Sequence, residues 1–112
     1  MVHERFTALP CPRKPQTTLA LEGCVERSLL RSDAKVNARA ARIWNALPAA
    51  GRPEFAGGER SWLAYRAASC RAESSKHAGG TFQPVAYGEC ELARNTTHLR
   101  DLAETLRVLS QR

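Results

Sequence analysis

The sequence predicts an all-α fold: a small antiparallel helical bundle of about three main helices with two disulfides. Three observations predict it. Apolar residues recur at three- and four-residue steps over long stretches, and prolines and glycines cluster at only a few places between them. No stretch alternates apolar and polar residues for long enough to make a strand. The chain has 112 residues, 43% of them hydrophobic and only 6% aromatic, so one domain rests on a modest core of Leu, Ala and Val. A core of that size gains from covalent staples.

Each element follows from local signals. Pro10, Pro12 and Pro15 make residues 1–16 an extended N-terminal lead-in, and residues 17–112 a single helical domain. From about Thr17 to Leu47 there is no proline and the only glycine is Gly23, which fits one long or once-broken helix. On it Val25, Leu29, Val36, Ala40, Ile43 and Leu47 fall within an arc of roughly 60° at about 100° per residue, a core stripe. Pro48 ends this helix, and Gly51-Arg52-Pro53 turns the chain into the next, where proline suits a first helical position. That helix runs to about Glu73 with Phe55, Trp62, Leu63 and Cys70 on one side. Ser74 to Gly80 reads as a loop. Thr81 is the expected N-cap of the last helix, with Pro84 in its first turn. Leu92, Leu99, Leu102, Leu106 and Leu109 then form a heptad-like seam toward Ser110, with Asn95 in the missing position.

Cys11, Cys24, Cys70 and Cys90 lack the close spacing of a zinc or redox motif, and His3, His77 and His98 are scattered. No metal or other cofactor is implied. Two disulfides in an oxidising compartment are the expectation, with four buried thiols as the alternative. The first ten residues carry charge without an apolar run, so no signal peptide is read, and no stretch is a membrane span. Bridged cysteines would then make the chain the mature part of an exported protein.

The most informative residues are polar ones on apolar faces. Asp33 and Asn37 lie beside the first helix's stripe, Glu59 and Arg66 share an arc with Phe55 and Trp62, and Asn95 interrupts the leucine seam. Buried charges are costly unless paired, so these five are expected to meet in one structural network, with Arg66 forking onto Asp33 or Glu59. The acidic pairs Glu22/Glu26 and Glu89/Glu91 read as helix-surface charge. No nucleophile–histidine arrangement or phosphate-cradling loop stands out, and no catalytic residue is assigned. Asn95-Thr96-Thr97 is formally a glycosylation sequon, discounted for its place inside a helix.

The formal charge is +6, and of the 17 Lys and Arg only Lys14, Lys35 and Lys76 are lysines. Arg27, Arg31, Lys35, Arg39 and Arg42 occupy one arc of roughly 120° on the first helix, away from its apolar stripe. The stripe is either an ordinary solvated face or a binding face for an acidic partner or anionic polymer. No aromatic residue interleaves it, which disfavours nucleic acid.

From Cys11 to Leu102 the chain resembles the LprI-like lysozyme-inhibitor domain, a family of exported bacterial proteins. The resemblance rests on Cys11, Cys24, Asp33-x-x-Val36-Asn37, Glu59-x-x-Trp62-x-x-x-Arg66-x-x-x-Cys70, Gly79-Gly80, Cys90 and Leu102. The chain departs from the family pattern at Ala40, where Tyr is frequent, at Glu59, where Gln stands, and at Asn95 and His98, where Thr and Arg are usual. The resemblance implies an α-helical domain with pairings Cys11–Cys24 and Cys70–Cys90. It also implies a non-catalytic protein that inhibits a lysozyme or other muramidase. Its place would be periplasmic, secreted or lipid-anchored outside the cytoplasm. Charge raises an objection, because animal-type lysozymes are generally basic and a +6 inhibitor repels them at long range. Binding then needs a local acidic or apolar patch, or the partner is acidic, an anionic envelope polymer among the candidates.

Overall fold

The computed structural model describes Val2 and residues 9–111; His3, the rest of residues 1–8 and Arg112 lie outside the described residues. Three helices run α1 (Thr18–Ala46), α2 (Arg52–Ser74) and α3 (Gln83–Leu109). Consecutive helices are antiparallel, so α1 and α3 run parallel, and α3 packs against both of the others. The all-α class and both disulfides, Cys11–Cys24 and Cys70–Cys90, are as expected from the sequence.

Local chemistry sets the boundaries. The Thr17 hydroxyl accepts from the Ala20 N–H at 3.1 Å and caps α1, which continues unbroken past Gly23. It ends at Leu47, whose extended backbone is what a residue before proline prefers. A 3-10 turn, Ala49–Gly51, leads into α2, with Pro53 in the first turn where its missing N–H costs nothing. After α2 a second 3-10 turn, Ser75–His77, and the left-handed Gly79 reverse the chain. Thr81 does not cap α3. It is exposed, and the helix starts at Gln83 after Phe82 with no side-chain cap, because Pro84 already removes one donor from the first turn.

The core is thin. Val36, Ile43 and Leu102 form its buried centre, and Phe55, Trp62, Leu63, Leu99 and Leu106 pack around them. The radius of gyration is 16.1 Å, against about 13 Å for a compact chain of this length. An elongated three-helix layer buries less, which is why the staples matter. Residues 11 and 24 close one loop and residues 70 and 90 another, tying the lead-in to α1 and α2 to α3.

The lead-in is not merely extended chain outside the domain. Val2 is buried in the core, and its backbone N–H and carbonyl pair with the Asn37 side chain at 2.8 and 3.1 Å. A branched apolar side chain displaces water there, and one amide satisfies both backbone groups. Close approach also explains Gly88. A Cβ at that position would stand 2.4 Å from Val25 Cγ1, so glycine lets α1 and α3 meet.

Candidate functional site

The buried polar residues lie mid-bundle, one turn after another along the facing sides of the helices. Arg66 Nη1 donates to Asp33 Oδ1 and to Asn95 Oδ1, both at 3.0 Å, and Nη2 lies 3.0 Å from Glu91 Oε2. Asn95 Nδ2 donates to Asp33 Oδ1 at 2.8 Å and to Ser32 Oγ at 3.0 Å. One planar guanidinium thus faces two carboxylates and joins all three helices. Asp33 Oδ2 is buried with no hydrogen-bond partner among the described residues.

Glu59 does not reach Arg66. Its carboxylate accepts from His98 Nε2 at 2.9 and 3.1 Å instead, since α2 places it two turns away toward the opposite end. His98 stacks on Trp62 with ring centroids 3.7 Å apart and planes 7° apart, and the Arg66 guanidinium stands 5.6 Å over the same indole. Asn37 also stays out of the network, being spent on Val2. The network therefore runs Glu59, His98, Trp62, Arg66, then Asp33, Asn95 and Glu91. Its centre at Arg66, Asp33 and Asn95 is buried, while Glu59 at one end is partly exposed and Glu91 at the other borders a cleft. Asn95 is fully buried and inaccessible to glycosylation.

Glu91 and His98 are the residues the sequence reading missed. Glu91, expected at the helix surface, is buried. Val85, Gly88, Glu91, Asn95, His98 and Leu102 are all buried at three- and four-residue steps. A helix packed on two neighbours buries a wider arc than its leucines mark, and this second line of positions carried the signal.

The five basic residues of α1 do not form one continuous solvated face. Arg31, Lys35 and Arg42 are exposed. Arg27 is exposed but donates to the Leu9 carbonyl at 2.6 Å and the Gly23 carbonyl at 3.1 Å, pinning the lead-in. Arg39 is half-buried and donates to the Leu99 carbonyl of α3 at 2.7 Å. On α3, Arg107 pairs with Glu104, whose carboxyl is held below its ordinary range chiefly by that hydrogen bond.

A cleft of about 530 Å³ opens between the N-terminal parts of α1 and α3 and the end of α2. Glu22 and Glu26 line it from α1, Arg71 from α2, and Tyr87 and Glu91 from α3, over Val25, Leu29 and Pro84. Glu22 and Glu26 are half-buried and continue the inward arc of α1, so they too are not the outward surface charge expected of them. Glu22 has no partner among the described residues. Taking about 100° per residue, both glutamates stand roughly 160–200° from the centre of the basic arc, on the other side of the helix. The cleft thus has an apolar floor and three carboxylates opposed by the one cation of its lining, Arg71, in an otherwise basic molecule.

Among the described residues no group of three His, Cys, Asp or Glu side chains gathers to hold a metal, and no helix is long and apolar enough to cross a membrane. A family model described as lysozyme inhibitor LprI matches residues 11–102. No curated protein and no solved structure matches the chain.

Proposed function

The chain belongs to the LprI lysozyme-inhibitor family, and from that membership we propose that it is a non-catalytic inhibitor that binds a lysozyme-type peptidoglycan hydrolase outside the cytoplasm. The observation that carries the reading is the cleft at the N-terminal ends of α1 and α3. Its three carboxylates outnumber Arg71 and are opposite in sign to a basic hydrolase, and its Val25, Leu29 and Tyr87 offer apolar contact. A lysine or arginine of the hydrolase would meet the Glu22 carboxylate and lay its methylene stem on that floor.

Magnitudes decide whether the net charge forbids this. At physiological ionic strength the Debye length is about 8 Å, less than the roughly 10–12 Å diameter of a helix with its side chains. Exposed cations on the far side of α1 are therefore largely screened at the cleft, while a direct carboxylate–cation contact is not. Local complementarity then outweighs the +6 total.

The test is a titration of a basic lysozyme digesting a cell-wall suspension. The reading expects activity to fall to an endpoint at one equivalent of protein, which is recovered uncleaved. Unchanged activity at a large molar excess, over basic and acidic muramidases alike, contradicts it.

A further inference from the structure

At the other end of the bundle, a groove of about 720 Å³ lies between the C-terminal parts of α1 and α3. Arg39 and Arg42 line it from α1 and Arg107 from α3, with Asn45 on the rim and Leu106 and Leu109 below. We infer that this groove, with the exposed Arg31 and Lys35 leading into it, binds a linear phosphate-bearing polymer.

A guanidinium offers five N–H groups in a planar fork that matches two oxygens of a phosphate at once. Arg42 has no partner among the described residues. Arg39 directs one N–H to the Leu99 carbonyl, and Arg107 directs Nε and Nη2 to Glu104, so both keep donors for an incoming anion. Three arginines line one recess, and among the described residues no carboxylate lines it with them, Glu104 standing beside it on Arg107. Along α1, Arg31, Lys35 and Arg42 share nearly one line, about 16 Å long at 1.5 Å per residue. A row of cations ending in a recess fits a chain of repeating anions, whereas a flat bilayer would touch the row and miss the recess.

The competing explanation is that these arginines only offset the carbonyl ends of α1 and α3, which lie at this end of the bundle. That role asks for positive charge near the helix ends. It does not ask for binding. The groove and the cleft of the inhibitor reading lie at opposite ends of the parallel helices, so either proposal can fail without the other.

The experiment measures binding of the full chain to a medium-chain inorganic polyphosphate over a series of salt concentrations. Four proteins are compared: the parent, Arg42→Gln, the pair Arg42→Gln and Arg107→Gln, and a charge-matched control pair Arg13→Gln and Lys76→Gln, both exposed and outside the groove. The expected result is saturable binding by the parent that weakens steeply with salt. The groove pair should lose about tenfold or more in affinity, and Arg42→Gln alone a substantial share, while the control pair stays within about twofold. Melting temperatures should match, and the single variant keeps the Arg107–Glu104 pair, so loosening of the end of α3 would not explain its loss. Equal losses in the groove and control pairs would reduce the effect to net charge and overturn the proposal. So would absence of polyphosphate binding, or tight binding only to vesicles containing phosphatidylglycerol, which would assign the row to a membrane surface.

Discussion

Arg66→Ala removes a buried cation from the centre of the bundle. Arg66, Asp33 and Glu91 are 5%, 3% and 6% exposed, so the variant leaves two carboxylates with little water and no guanidinium. Asn95 would lose one acceptor contact but keep its bonds to Asp33 and Ser32. Breaking a buried ion pair from one side costs about 3–5 kcal/mol, because the remaining charge stays desolvated. For a chain of this length each kcal/mol moves the melting temperature by about 4 °C, so the expected fall is about 12–20 °C. Since small domains hold only about 5–15 kcal/mol in total, the variant should sit close to unfolding at moderate temperature. Arg66→Lys, which keeps the charge but cannot fork onto three acceptors, should fall between it and the parent. Thermal melts by circular dichroism, with both disulfides intact, provide the measurement. An Arg66→Ala protein that melts within about 2 °C of the parent would refute the structural role. If that protein also lost hydrolase inhibition, Arg66 would belong to the binding machinery.

Three further outcomes are expected. Gly88→Ala should cost about 1–3 kcal/mol through overpacking, read as a lower urea midpoint, because its Cβ meets Val25 Cγ1 at 2.4 Å, and Val25→Ala should restore part of the loss. Replacing either cysteine pair by alanine should cost about 3 kcal/mol by calorimetry, given loops spanning 13 and 20 residues; a Cys24–Cys70 peptide in a non-reduced digest would contradict the pairing. Reversing Arg31 and Lys35 to glutamate should leave stability within about 0.5 kcal/mol. The same reversal should weaken polyphosphate binding while leaving inhibition of a basic hydrolase at physiological salt nearly unchanged, because those cations are screened from the cleft.

Much of this architecture is legible in the residues because its signals are local. Pro48, Pro53 and Pro84 punctuate the helices, and the Val25-to-Leu47 stripe needs only a 3.6-residue period to be seen. Arg66, Asp33 and Asn95 stand out because each is polar on an apolar arc, and burial compels such groups to meet. Glu59 and His98 were harder, since their pairing depends on the stagger of α2 along α3, which no single helix encodes. Val2 gave no periodic signal at all: one apolar residue in a charged segment finds its place through Asn37, 35 residues away. The cleft was hidden for a similar reason. Glu22 and Glu26 meet Glu91 only because α1 and α3 run parallel, which follows from the up-down-up chain path rather than from either helix. The groove holding Arg107 beside Arg39 and Arg42 arises in the same way.

The inhibition constant against a basic lysozyme, measured for the parent and for Glu22→Lys at low and at physiological salt, tests the central claim most directly. Glu22 is half-buried on the cleft rim with no partner among the described residues, so its reversal should leave the melting temperature nearly unchanged. The account predicts that Glu22→Lys weakens inhibition by about tenfold or more, and that the gap between the two proteins narrows as salt rises. Equal inhibition by parent and variant at both salt concentrations would contradict the account, because the hydrolase would then be held by some other surface.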